Sequence, residues 1–354
     1  MKLLVNLVLS FAVLALCLWL VWPNPHVRGE LEATLRALEL RTFAPYLAGY
    51  LVLLATTHFF RAWRWNNLLR PIGADLPPGR LLAISSIGFM AILALPARLG
   101  EFARPALLRK RGHVSATAVL GTVAVERIVD GLAVSLIVFG CCFSLRGPHA
   151  PHWMMPVAYT SLGIFVAAML FLAFSLRWPE RTVKLCVALT LLPQVAPGLA
   201  RRIEAMLHKL ISGFTVLKHH KEFALFLLWS ALYWGANALG MLVLARGMGL
   251  HLSIIGAFAT MGLVAVGITL PNTPGLVGQF HYFTTLGLML YLPKDVVQTQ
   301  GLAYAILLHG IQVVWYLAMG VISMLALNVG VHDFVGRGAM AEATGEGEEE
   351  EAAA

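Results

Sequence analysis

Long apolar runs alternate with short polar connections along most of this chain. A helix that crosses a membrane needs about 20 predominantly apolar residues. The pattern predicts full spans at Leu3–Trp22, Tyr46–Phe60, Val119–Phe143, Met154–Leu176, Phe223–Leu244 and Leu302–Leu327. The expected fold is therefore an all-α, polytopic integral membrane protein with about six full spans.

Two further apolar runs are interrupted, at residues 81–108 and 254–292. Each reaches a Leu-Pro pair after about fifteen apolar residues and then becomes rich in Gly and Pro. Proline removes a backbone donor and clashes with the preceding turn, so we expect helices to break at Pro96 and at Pro271. We interpret both runs as Pro/Gly-broken re-entrant hairpins; the alternative is two ordinary proline-kinked helices.

Basic residues in the connections predict the orientation, because cytoplasmic loops carry the excess of Lys and Arg. The connection after the second span has one acid, Asp75, against Arg61, Arg64, Arg70 and Arg80. It should be cytoplasmic, and so should the basic stretch 108–112 if the first hairpin enters and leaves from that side. Both chain termini are then cytoplasmic.

The predicted elements form two halves of opposite orientation, residues 1–148 and 149–330. The second half also contains an amphipathic segment, 199–218, which we predict to lie on the inner membrane surface. Residues 331–354 form an acidic tail that we expect to be disordered. Matched broken segments in two halves indicate the central site of a transporter.

The composition agrees with this class. The chain has 354 residues, of which 59% are hydrophobic and 12% charged, and its net charge is +8. A basic membrane protein suits anionic lipid head groups at the cell (inner) membrane. No soluble domain could carry a nucleic-acid-binding face, and the cysteines and histidines lack metal-ligand spacing, so we expect neither nucleic acid, nor a metal, nor a cofactor.

Charged residues follow the break in the first hairpin, in the stretch PARLGEFARP. Arg98, Glu101 and Arg104 have helical spacing, which allows neighbouring pairs to neutralise each other and leaves one arginine in excess. A guanidinium that faces a cavity can bind a phosphate through two hydrogen bonds. The alternative is an interfacial position that only follows the charge rule for cytoplasmic loops.

The following span contains ERIVD. Glu126 and Asp130 share a helix face, and Arg127 can pair with Asp130. Because apolar residues surround them, these charges should face the protein interior or a water-filled space. Glu126 is a candidate partner of Arg98 or Arg104, a proton carrier, or a ligand for an ammonium group. The alternative is a purely structural salt-bridge cluster.

Two further groups complete the candidate site. Arg61 and Arg64 lie beside Trp63 and Trp65 and are either interfacial anchors or part of a head-group access site. The predicted hairpin and gating residues expose backbone groups or offer neutral hydrogen bonds; they are Pro96, Gly100, Pro271, Asn272, Pro274, Gly275, Gly278 and Gln279.

Four motifs in this order, RAWRWNNLL, PARLGEFARP, ERIVD and the Pro-Gly hairpin, resemble the lysylphosphatidylglycerol synthase transmembrane family. This family is the flippase-like membrane domain of multiple peptide resistance factors, and the resemblance extends to about residue 330. It implies a lipid-translocating domain with two re-entrant hairpins around a central cavity.

The sequence departs from that family in two respects. The soluble aminoacyl-transfer domain of the synthase is absent, because an acidic tail follows the last span, so the resemblance supports a flippase-like mechanism but not lysylphosphatidylglycerol as the substrate. Gln279 stands where such proteins often carry a glutamate, so the resemblance does not extend to recognition of a cationic head group.

These observations favour an ATP-independent flippase or transporter of a phosphate-bearing lipid or lipid-linked envelope precursor, and not an enzyme. Its expected partner is an anionic or phosphate-bearing membrane lipid. Two alternatives remain open, an accessory subunit of a cell-envelope glycosyltransferase and an integral-membrane lipid head-group transferase. The sequence leaves the oligomeric state open.

Overall fold

The computed structural model describes residues 39–95, 100–109, 114–144, 154–188, 197–269 and 273–330, with the single positions 29, 33 and 36. Within these ranges the chain is mostly helical and contains no β-strand. The predicted all-α architecture is therefore confirmed. The predicted first span, Leu3–Trp22, and the acidic tail lie outside the described residues.

The first half contributes four described helices, α1 (Leu40–Leu69), α2 (Pro78–Ala94), α3 (Ala103–Arg109) and α4 (Ala116–Ser144). The predicted second span lies within α1, which continues well beyond it because Trp, Asn and Leu residues remain buried at its end. The predicted third span corresponds to α4, and α2 and α3 are the two limbs of the first broken run.

The second half contains α5 (Met154–Arg177), α6 (Pro179–Ala188), α7 (Pro197–Ser212), α8 (His220–Gly247), α9 (Ile254–Thr269), α10 (Gln279–Met289) and α11 (Leu302–Leu327). The predicted amphipathic segment 199–218 is α7 followed by a tighter 3₁₀ helix, Gly213–Lys218. Its position at the membrane surface stays a prediction.

Four helical segments among the described residues are long and apolar enough to cross a membrane: Leu40–Ile72, Tyr159–Arg177, His220–Gly247 and Lys294–Leu327. Large apolar side chains are exposed along them, as lipid contact requires, including Ile164, Leu170, Val314 and Leu325. The protein is therefore a polytopic membrane protein. The helix α4 has 29 residues and carries three charges near its middle, and its crossing of the membrane remains a prediction.

The first apolar run is broken where the sequence predicts. The helix α2 ends one residue before Leu95, whose backbone is extended (φ −95°, ψ 135°), and Pro96 lies outside the described residues. The chain then returns so closely that a Cβ atom on Gly100 would overlap the backbone of Ala91 and Ile92. The two limbs are thus in direct backbone contact.

The second run is broken between α9 and α10, and its Pro271 and Asn272 lie outside the described residues. Its turn contains a short 3₁₀ helix, Pro274–Leu276, and two glycines with left-handed backbone, Gly275 (φ 62°) and Gly278 (φ 76°). Glycine adopts such angles without a steric penalty, which explains its use here.

The helices of the two halves pack in a crossed arrangement. The helices α1 and α8 form the most extensive contact, and α2 packs on α11 while α9 packs on α4. The first limb of each hairpin therefore lies against the last helix of the other half. The turn of the second hairpin also reaches α2, so both hairpins meet near the centre of the molecule.

Candidate functional site

A network of charged side chains is buried between α1, α3 and α4. At its centre is Arg64, whose side chain is fully buried. Its two terminal nitrogens donate to both oxygens of Asp130, at 2.6 and 2.7 Å, and Nη2 also donates to Glu126 Oε1 at 2.9 Å. A further hydrogen bond, to Ser230 Oγ at 3.2 Å, connects α8 to the same guanidinium.

Two other arginines bind the same carboxylates. Arg127 Nη2 donates to Glu126 Oε1 at 3.1 Å, and its Nη1 lies 3.8 Å from Asp130 Oδ2. Arg104 Nη1 lies 2.9 Å from Glu126 Oε2 without hydrogen-bond geometry, so that contact is electrostatic. We call these five residues (Arg64, Arg104, Glu126, Arg127 and Asp130) the buried network.

The buried network contains three arginines and two carboxylates, and Glu101 is the third carboxylate that balances their charge. Glu101, just before α3, adds a further electrostatic interaction with Arg127. The side chains of Arg64, Arg104 and Glu126 are completely shielded from solvent. Charges buried this deeply persist only when paired, which explains why so many interactions converge on α4.

A cavity lies directly beside this network, between the two hairpins. The volume that is open to the centre of a water-sized molecule is about 120 Å³. Its described lining residues are Arg61, Phe89, Ile92, Leu93, Tyr233, Trp234, Asn237, Met241, Met261, Val264, Ala265, Ile268, Leu276, Phe280, Gln312 and Tyr316. They come from both halves of the chain, and most are apolar or aromatic, as in most ligand-binding cavities.

Two aromatic rings separate the cavity from the buried network. Phe89 lies beneath the guanidinium of Arg61, at 4.0 Å, and also within 5.8 Å of that of Arg104. The ring of Tyr233 lies 4.7 Å from the guanidinium of Arg64. The positive charge of the network is therefore adjacent to the cavity, although its ion pairs are hidden from it.

Arg61 differs from the arginines of the buried network in its lack of an acidic partner. Among the described residues no carboxylate lies within 4 Å of it, and its Nε atom is buried without a hydrogen-bond acceptor. The Nε1 atom of Trp234, another cavity residue, is also buried without an acceptor. A cation at the cavity wall without an acidic partner suits a ligand that carries negative charge.

The second hairpin is closed by Gln279, which is fully buried. Its Nε2 donates to Gly267 O at 2.7 Å, and its Oε1 accepts from the backbone N–H of Thr273 at 3.1 Å. The amide thus connects the end of α9 to the start of α10. An ionised glutamate at this position would have no hydrogen to donate to Gly267 O.

Two histidines, His281 and His309, attach the second hairpin to α11 through a chain of hydrogen bonds. Gly278 N–H donates to His281 Nδ1 at 3.3 Å, and His281 Nε2 lies 3.3 Å from His309 Nδ1. His309 Nε2 lies 2.9 Å from Gly275 O. Because the first and last contacts fix which nitrogens carry protons, both imidazoles are neutral in this arrangement.

The residues selected from sequence occupy different places. Arg64, Arg104, Glu126, Arg127 and Asp130 come together in the buried network, and Arg61 lines the cavity. Gly100, Pro274, Gly275, Gly278 and Gln279 belong to the hairpins, and the predicted roles of Arg98, Pro96, Pro271 and Asn272 concern residues outside the described ones.

Sequence reasoning did not select several residues that the fold brings to this region: Phe89, Tyr233, Trp234, Asn237, His309, Gln312 and Tyr316. They lie singly in apolar helices and far apart in the chain. The only local sign would have been polar and aromatic residues at helical spacing, such as Tyr233, Trp234 and Asn237.

These features define a class, namely a polytopic α-helical membrane protein with a charged network and a cavity between two broken hairpins. The chain belongs to the family described as lysylphosphatidylglycerol synthase TM region, which matches residues 7–320. Membership assigns it a membrane-domain role in lipid-related functions of the cell envelope. The chain matches no curated protein and no solved structure.

Proposed function

We propose that this protein is an ATP-independent flippase or transporter of a phosphate-bearing lipid or lipid-linked envelope precursor, and that it catalyses no bond-making step. The observation that carries this proposal is Arg61, a cation without an acidic partner in a cavity between two hairpins. A lipid phosphate that crosses the membrane must exchange its water for other donors, because an unpaired charge in hydrocarbon is prohibitively costly. Arg61 supplies such donors.

The packing of the hairpins supports a transport mechanism. In an inverted repeat, each hairpin should make the same contact with the opposite half, and the pairs α2–α11 and α9–α4 follow this rule. The contact between α1 and α8, which occupy equivalent positions in the two halves, follows it as well. We propose that the hairpins open the cavity alternately to the two sides of the membrane.

In this mechanism the buried network has a positioning role. It holds α1 against α4 and α8, so Arg61, one turn before Arg64, keeps a fixed place at the cavity wall. The guanidinium groups of Arg64 and Arg104 also lie behind the rings of Tyr233 and Phe89, which line the cavity. Arg61 would then contact the phosphate directly, and Arg104 would contribute a positive potential from behind the ring of Phe89.

Arg61→Gln should reduce lipid translocation by at least about tenfold, since a hydrogen bond from a charged donor contributes about 1.5–3 kcal/mol. The fold should be spared, because Arg61 has no ion pair to lose. The measurement is translocation of a fluorescent phosphatidylglycerol in proteoliposomes, with thermal unfolding followed in parallel. Arg80→Gln, which removes an exposed arginine from α2, is the matched control. A folded Arg61→Gln protein that translocates at the wild-type rate would contradict the proposal.

We further propose that the protein lies in the cell (inner) membrane with both termini in the cytoplasm. Single cysteines at positions 110 and 201 should then be labelled from the cytoplasmic side, and those at 147 and 294 from outside. The labelling uses a background in which Cys17, Cys141, Cys142 and Cys186 are replaced. External labelling at position 110 would rule out a re-entrant first hairpin and, with it, the inverted symmetry.

A further inference from the structure

The charges at the cavity wall restrict the kind of head group that it can accept. Among the described lining residues, Arg61 carries a charge at neutral pH, and none is an aspartate or glutamate. The two carboxylates closest to it in the fold, Glu126 and Asp130, are engaged by three arginines of the buried network. They have little capacity left to attract a cation in the cavity.

Neither hairpin contributes an acidic residue to the described lining of the cavity. The first hairpin, 81–108, contains one carboxylate, Glu101, which interacts with Arg127, and it also contains Arg98. The second hairpin, 254–292, contains no acidic residue at all. Its Gln279, where a carboxylate could have faced the centre, uses its amide to close the hairpin.

The polar groups of the cavity wall point to the same kind of ligand. The guanidinium of Arg61 offers only donors, and phosphate oxygens accept hydrogen bonds, whereas an ammonium group brings only donors of its own. Asn237 and Gln312, also at the wall, can bind hydroxyl groups as donor or acceptor.

Building on the proposed function, we propose that the cavity selects lipids whose head group is anionic and contains no amine. Phosphatidylglycerol and polyprenyl-phosphate lipids belong to this class. Aminoacylated and ethanolamine lipids are disfavoured, because their ammonium group would approach Arg61 with no carboxylate to compensate it, and like charges placed close together oppose binding. The cavity therefore suits phosphatidylglycerol and disfavours its aminoacylated form.

The test compares three lipids in the same proteoliposomes. The full chain is reconstituted in phosphatidylcholine vesicles that contain a trace of acyl-labelled phosphatidylglycerol, phosphatidylethanolamine or lysylphosphatidylglycerol, and the fraction accessible to an external quencher is followed. We expect phosphatidylglycerol to cross faster than both amine lipids by more than about tenfold. Equal rates, or a preference for an amine lipid, would overturn the selectivity and leave the proposed function intact. Failure to move any of the three would count against the proposed function itself.

A charge introduced into the wall provides an independent arm. Gln312 donates to Tyr50 Oη at 3.1 Å, and in Gln312→Glu the tyrosine hydroxyl can turn and donate instead, so the fold should tolerate the change. This variant should shift the ratio of rates toward lysylphosphatidylglycerol, whereas the neutral Gln312→Met should not. An unchanged ratio in a folded Gln312→Glu protein would contradict the proposal, and if that variant does not fold, the comparison of the three lipids decides.

Discussion

Arg64→Met is expected to destabilise the protein by about 3–5 kcal/mol, the cost of removing one partner from a buried ion pair. The substitution leaves Asp130 without its bidentate donor and removes one of three cations from Glu126. It also leaves Ser230 without its link to α1. Thermal unfolding in detergent should show a midpoint lower by on the order of 10 °C.

The control for this prediction is Arg70→Met on the same segment. Arg70 pairs with Asp75 at 3.2 Å, but both side chains are largely exposed, so the loss should be below about 1 kcal/mol. The double variant Arg64→Met/Asp130→Asn should recover part of the stability, because it removes a buried carboxylate that has lost its bidentate donor and retains only the longer contact with Arg127. If Arg64→Met and Arg70→Met unfold at the same temperature, the buried network does not hold the helices together.

Gly100→Ala should be nearly as damaging, although it adds a single methyl group. The new Cβ atom would overlap the backbone of Ala91 and Ile92, and backbone cannot yield as a flexible side chain can. Overpacking of this kind costs typically 1–3 kcal/mol, and the upper end applies because the first hairpin must separate its limbs. The measurement is the unfolding midpoint together with the yield of monodisperse protein.

Gly79→Ala is the matched control, since Gly79 lies at the start of α2 with nothing within 4 Å of the added atom. In the first turn of α2 alanine is also the better helix former, so this variant should be neutral or slightly stabilising. Equal behaviour of the two variants would mean that the close contact at Gly100 does not contribute to the fold.

The sequence predicted those parts of the fold that depend on local chemistry. Apolar length located the helices, and the positions of Pro96 and Pro271 located the two breaks, because proline restricts its own turn whatever surrounds it. The crossed packing of α2 on α11 and of α9 on α4 could not be predicted, since no local pattern specifies which helix a hairpin limb will meet.

The candidate site was predictable to a similar degree. Glu126 and Asp130 are four residues apart, so a shared helix face followed from the spacing alone. Their main partner, Arg64, is 62 and 66 residues away in sequence and could equally have been an interfacial anchor. Arg61 and Arg64 have similar neighbours in sequence, and only the fold distinguishes the arginine that lines the cavity from the one in the buried network.

The long sequence separation within the buried network has a consequence for biogenesis. If α4 spans the membrane as predicted, each of its three charged residues within five positions would cost about 2.5–3.5 kcal/mol when the helix is inserted alone. Arg64 is synthesised before the carboxylates that it neutralises, so α1 is already present when α4 is inserted. Insertion of α4 should therefore depend on α1 being in the membrane first. The order of these two helices in the sequence thus determines the order in which the protein can assemble.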